Sequence, residues 1–151
     1  MGLYFEDFTV GDRFTTQRRT VTESDVMTFA GLSGDYNPLH TDAVGARETI
    51  FGARIAHGLL GLSIVTGLGA QLGIFEGTAM ALLNINWNFK KPMFFGDTIH
   101  AVIHVESKRE TSKPDRGILV RRIELLNQDD AVLQEGTMTL MIKRRPAETQ
   151  A

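Results

Sequence analysis

A chain of 151 residues with 16 Lys and Arg against 18 Asp and Glu has a formal net charge of −2, and 42% of it is hydrophobic. That length suits one domain around one core, and the near-neutral charge leaves no electrostatic footprint for nucleic acid or an acidic membrane surface. Cysteine is absent, which excludes disulfides, thiolate metal sites and Cys nucleophiles.

The run from Met1 to Phe8 lacks the basic start and apolar core of a secretory signal, so a cytoplasmic protein is expected. Arg13 to Thr20 supplies a candidate first strand. Thr22-Glu23-Ser24-Asp25 opens a helix, with a hydroxyl cap and acids in the first turn, and Gly31 and Gly34 end it. Gly34 to Pro38 is dense in turn residues, and Asn37 precedes a proline, so Asp35 to His40 is expected in an irregular loop. Ala43 to Thr49 is a candidate short helix.

Gly58 to Phe75 contains no charge and is long enough to be weighed as a membrane span. Its glycines, with Ser63, Thr66 and Gln71, make it weakly hydrophobic for lipid, and the expectation is a helix enclosed by protein, with no membrane. After Gly77 the period becomes two. Ala81, Leu83, Ile85, Trp87 and Phe89 alternate with Leu82, Asn84, Asn86 and Asn88, the pattern of a half-buried strand. Ile99 to Glu106, Ile118 to Leu126 and Val132 to Ile142 read as further strands, the last two joined by the polar turn Asn127-Gln128-Asp129-Asp130. Helices followed by a run of antiparallel strands give an α+β class, with one uncharged helix packed on a curved sheet.

Several motifs fail on context. Gly67-Leu68-Gly69 resembles the start of a dinucleotide fingerprint, but Leu72 occupies the third glycine position and no βαβ unit surrounds it. His100 and His104 share one strand face without a third ligand, and they read as surface-facing rather than as a metal site. The basic residues Lys108, Arg109, Lys113, Arg116, Arg121 and Arg122, with the tail Lys143-Arg144-Arg145, read as a solvated face.

The loop from Phe29 to His40 carries more. Asp35 and His40 lie five residues apart around a turn, so both can address one water, the carboxylate holding it and the imidazole moving a proton near neutral pH. Taken in isolation, such a pair fits a turn cap and a structural histidine better than a catalytic pair.

The full string Gly34-Asp35-Tyr36-Asn37-Pro38-Leu39-His40, led by Phe29, resembles the hydratase 2 motif of the MaoC-like dehydratases, the (R)-specific enoyl-CoA hydratase family. Arg54 to Ser63 is similar to that family's entry into its central helix, and Lys91 to Thr98 to its link between strands. The resemblance runs from about Phe8 to Ile142 and implies a single hot-dog domain over residues 1–151, with its core at about 8–142.

The resemblance also implies a set of roles. Asp35 and His40 become the acid/base pair, and the Gly58 N–H becomes the donor to the thioester oxygen. Ser63 and Asn37 orient the carboxylate, and His57 is a structural or pocket residue. Tyr36, Gly61, Leu82, Asn84 and Asn86 line the acyl pocket. The implied reaction is reversible syn hydration of a trans-2-enoyl-CoA to an (R)-3-hydroxyacyl-CoA. No metal or other cofactor is needed, since CoA belongs to the substrate, and the implied partner is a second copy in a homodimer or a higher homo-oligomer. The competing readings are a hot-dog thioesterase, against which the acid-free central helix argues, and a non-catalytic acyl-CoA binding module, against which the intact Asp35 and His40 argue.

Overall fold

The computed structural model describes residues 1–147. Thr22 opens α1 (Glu23–Ser33) with a reciprocal box, its hydroxyl accepting from the Asp25 N–H at 3.1 Å while the Asp25 carboxylate accepts from the Thr22 N–H at 2.9 Å. The helix runs through Gly31 and ends at Gly34, whose left-handed φ of 78° a side chain would resist. The following loop is less irregular than expected. Asn37 takes the extended ψ that a following proline imposes, its side chain accepts from the Leu39 N–H, and Pro38 starts the one-turn helix α2 (Pro38–Thr41). Between Ala43 and Thr49 there is a 3₁₀ turn, Gly45–Glu48.

The central helix α3 (Gly58–Gln71) has 14 residues and stops short of Phe75, with Gly73 at φ 72° beyond it. At 1.5 Å per residue it spans about 21 Å. Among the described residues no helix is long and apolar enough to cross a membrane.

The six strands are β1 (Arg13–Thr15), β2 (Arg19–Thr20), β3 (Ala79–Phe89), β4 (Thr98–Glu110), β5 (Arg116–Leu126) and β6 (Val132–Lys143). They form an antiparallel sheet in the order β1-β4-β5-β6-β3, with β2 also on β4. The strand expected over Arg13 to Thr20 is thus two. Thr16 divides it by accepting the Ala101 N–H on its own hydroxyl at 2.9 Å. At the β5–β6 turn the Asn127 side chain accepts from the N–H groups of Asp129 and Ala131, each at 3.0 Å, as a turn asparagine should.

One face of this sheet wraps α3. Leu60, Ile64, Val65 and Leu68 of the helix pack against Ile103, Ile123, Leu125 and Met138 of the strands. A second cluster, around Phe5, Phe8, Leu119 and Ile142, closes one end. Helix and sheet approach closely at Gly61, where a Cβ would lie 2.5 Å from Gln134 Nε2, so they meet there through a backbone and an amide.

Three sequence expectations are corrected here. β3 is not half-buried, because it is the sheet's edge and pairs only with β6 among the described residues, leaving Leu82, Leu83, Ile85 and Phe89 exposed. A register shift between Leu82 and Asn84 also divides the residues expected to share a face. Leu82 opposes Leu140 and Ile85 opposes buried Met138, on the helix side, whereas Asn84 and Asn86 oppose Thr139 and Thr137 on the other. Finally, His100 and Arg121 are buried rather than surface-facing. Both lie in interior strands, β4 and β5, with a neighbouring strand on each side.

The packing at Gly61 gives a direct test. Gly61→Val must displace the Gln134 amide, and overpacking of this kind costs ~1–3 kcal/mol. A urea melt should show that loss, and an unchanged midpoint would contradict the helix–sheet contact.

Candidate active site

The two histidines and the aspartate brought forward by the sequence converge where α2 meets the start of α3. A carboxylate oxygen of Asp35 and one ring nitrogen each of His40 and His57 lie within 4.8 Å of one another. Asp35 follows the Gly34 cap, with its side chain 53% exposed. Its Oδ1 accepts from the Asn37 N–H at 3.2 Å, and its own N–H donates to Ser33 Oγ at 3.2 Å. Asn37 therefore holds the carboxylate through its backbone, while its side chain caps α2.

His40 is buried on α2, and its Nδ1 is 2.7 Å from the Ile55 carbonyl oxygen. That oxygen can only accept, so Nδ1 carries the proton, and the Nε2 of neutral His40 keeps its lone pair for another partner. His57, the residue before α3, stacks on His40 with ring centroids 3.8 Å apart. Its Nε2 donates to the Asp35 carbonyl at 2.8 Å and lies 4.0 Å from Asp35 Oδ2. The Phe29 ring backs it at 5.0 Å, and its Nδ1 is buried without a partner. His57 thus ties the Asp35 loop to the helix start and fixes the plane against which His40 lies.

The same three side chains are the one group among the described residues spaced to hold a metal ion. The His57 nitrogen facing Asp35 is already committed to a carbonyl, and its other nitrogen is buried, so His57 is better built as a brace than as a ligand.

Gly58 begins α3 with no side-chain cap at His57, and the N–H groups of Gly58 and Leu59 make no hydrogen bond among the described residues. These donors, at the positive end of the helix dipole, can receive a developing oxyanion. A Cβ at Gly58 would lie 2.8 Å from Cε1 of Phe89, so only glycine leaves the backbone this close to that ring. The Gly58 carbonyl accepts from Gln134 Nε2 at 3.0 Å, and Gln134 Oε1 accepts from Trp87 Nε1 at 2.9 Å. A cleft of about 370 Å³ opens beside Gly58, with Phe51, Phe89, Lys91 and Gln134 among its walls.

The remaining predicted residues divide. Ser63 donates to its own helix at the Leu59 carbonyl, 2.8 Å away, and makes no bond to Asp35. It borders a shallow cleft of about 310 Å³ with Phe29 and Leu32. Tyr36 is exposed, and its hydroxyl is 3.4 Å from where a Cβ of Gly31 would stand, so it lies back on α1. Leu82 borders a separate apolar cavity between α3 and β3; Asn84, Asn86 and Gly61 do not. Gln134 and the Ile55 carbonyl escaped the sequence reading. Gln134 lies in a strand far along the chain, and a main-chain acceptor leaves no mark in residue identity. A glutamine directly after the apolar pair Val132-Leu133 was the available signal.

Comparison with known proteins bears on the family and the fold. Residues 7–122 match the model of the MaoC like domain. Over 143 residues the chain is 34% identical to an (R)-specific enoyl-CoA hydratase of Rhodospirillum rubrum, covering 94% of this chain and 93% of that one. It is 40% identical over 113 residues to Protein MaoC of Klebsiella aerogenes, a match covering 75% of this chain but only 33% of that longer protein. The crystal structure of a MaoC-like dehydratase from Rhodospirillum rubrum superimposes with a TM-score of 0.83 at 30% identity, covering 96% and 99% of the two chains. The antiparallel sheet wrapped around one long helix agrees with that superposition: the chain has the hot-dog fold and belongs to the MaoC-like dehydratase family.

Proposed function

We propose that the protein catalyses the reversible syn addition of water to a trans-2-enoyl-CoA, giving an (R)-3-hydroxyacyl-CoA. The observation that carries this reading is the convergence of Asp35 and His40, with His40 Nδ1 committed to the Ile55 carbonyl. A water between the two can lose a proton to one of them while its oxygen bonds to C3 of the enoyl group. The electron pair of the double bond moves through C2 onto the thioester oxygen, where the free donors of Gly58 and Leu59 meet the charge. The enolate collapses as a proton is delivered to C2 from the pair, so water adds as H and OH to the same face. In this scheme the two proton transfers belong to the pair and not to either residue alone.

Relatives named for hydratase and dehydratase activity support the same reaction class. The cleft beside Gly58, with Lys91 at its wall, is the route proposed for the CoA arm. Because the carboxylate, the imidazole and the two N–H groups account for every charge and proton moved, the reaction as proposed calls on no metal and no further cofactor. A cytoplasmic setting is part of the proposal.

Hydration of crotonyl-CoA, followed as loss of the conjugated enoyl thioester while free thiol is titrated in parallel, tests the activity. Hydration without thiol release is the expected outcome, and thiol release alone would establish a thioesterase. Asp35→Asn and His40→Ala should each lower turnover ~10²–10⁴-fold in a protein that stays folded. The double variant should resemble the worse single one, because both groups serve one water. A single variant with wild-type rate would remove that residue from the chemistry.

The assembly proposed is a homodimer joined through β3. An 11-residue edge strand with exposed Leu82, Leu83, Ile85 and Phe89 is an unpaired template, and pairing with a second copy removes both its open backbone and its apolar surface. Light scattering at micromolar concentration should give twice the chain mass, and Leu83→Lys should shift it toward the monomer. A monomeric wild-type protein would contradict this assembly.

A further inference from the structure

Arg121 stands in the middle of β5, between Val105 of β4 and Met138 of β6. It is 8% exposed, and its Nε is closed off from solvent with no hydrogen-bond partner. Among the described residues no carboxylate pairs with it, and burial is the one influence on its ionisation, lowering its pKa to about 10. It therefore remains a cation at neutral pH. The Phe75 ring, with its centroid 4.9 Å from the guanidinium carbon, is a favourable electrostatic neighbour. A buried guanidinium without a counter-charge costs stability that an apolar side chain of the same length would not.

The same side chain borders a cavity of about 200 Å³ between the second half of α3 and the sheet. Its other walls are almost wholly aliphatic, with Val65 and Gly69 from the helix, Leu82 from β3, and Ile103, Met138 and Leu140 from the sheet. The one neutral hydroxyl there, on Thr66, is bonded to its own helix at the Ser63 carbonyl. Leu82 lies on the uncovered edge strand and Thr66 on the exposed flank of α3, so the cavity opens to the outside between them. One fixed cation in an aliphatic wall complements an aliphatic chain that carries a carboxylate.

We propose that this cavity binds the carboxylate end of an aliphatic ligand, with the Arg121 guanidinium as its counter-ion. Two sources share that chemistry. One is a free alkanoate. The other is the far carboxyl of a dicarboxylic acyl thioester reaching in from the Asp35 site, and this source alone rests on the hydratase reading. Thr66 is eight residues along α3 from Gly58, about 12 Å at 1.5 Å per residue, a span within reach of a medium-length acyl chain.

Calorimetric titration of the full chain separates the cases without any turnover, so failure of the hydratase assay and failure of this proposal are independent. The probes are octanoate against octanol, and the saturated thioester ω-carboxyoctanoyl-CoA against octanoyl-CoA. A charge-assisted bidentate contact should favour octanoate at least ~10-fold. Arg121→Met should abolish that preference in a protein that melts no lower than the wild type, and Arg121→Gln serves as the second neutral variant. A preference within the thioester pair as well assigns the site to the acyl substrate, and its absence there assigns it to free alkanoates. Equal binding of octanoate and octanol by the wild type, or a preference that survives both substitutions, overturns the proposal. So does a finding that Arg121→Met weakens self-association while no carboxylate preference exists, since Arg121 then answers a charge on a second copy.

Discussion

The amide of Gln134, buried between helix and sheet, sets the geometry on which the candidate site depends. Its nitrogen holds the Gly58 carbonyl, its oxygen takes the Trp87 indole N–H, and its bulk fills the space left by the missing side chain of Gly61. A buried amide with both ends satisfied is rigid and stabilising, whereas one left half-bonded is costly. Here the satisfied amide anchors the first turn of α3 to β6. His57 precedes that turn directly, so anchoring the helix start also fixes the imidazole that grips the Asp35 carbonyl and supports His40. The path from sheet to proposed acid/base pair runs through the Gln134–Gly58 and His57–Asp35 hydrogen bonds and the stack of His57 on His40.

Around this anchor, the chain breaks local rules in a few places. The first N–H groups of α3 have no cap, His57 Nδ1 is buried without a partner, and Arg121 is buried without a counter-charge. Elsewhere the structure follows expectation: α1 has a reciprocal cap at one end and a left-handed glycine at the other, and the apolar faces of helix and sheet meet in a continuous core. Thr78 Oγ1 and His100 Nδ1 are also buried without partners, so an unsatisfied atom alone marks no site; the start of α3 and Arg121 stand apart because each borders a cleft that a ligand could fill. The uncovered edge of β3 is a third departure, of the kind a second copy removes.

The helix–strand order, the α1 cap and the uncharged central helix were legible because each depends on local chemistry: a hydroxyl three residues before a carboxylate, an absence of charge, a period of two. The Asp35 and His40 pair was legible because a short loop holds both. What escaped depends on contacts between distant parts of the chain. The shift at Leu83 turns Asn84 and Asn86 away from Leu82, and no residue type announces it. Arg121 reads as one more surface arginine until neighbouring strands close over it, and the role of Gln134 depends on a helix more than sixty residues earlier. Ser63 and Asn37 were assigned to holding Asp35; the structure gives the Asn37 backbone that contact, while the Ser63 hydroxyl bonds to its own helix.

The central claim is that one carboxylate and one imidazole, side by side at the start of α3, handle a single water on one face of the substrate. The stereochemical course of hydration tests it most directly. When crotonyl-CoA is hydrated in deuterium oxide, addition from one face places the new C2 deuteron and the C3 oxygen on the same side, and the product should be one diastereomer with the (R) configuration at C3. An anti product, a mixture at C2, or the (S) alcohol would contradict the account.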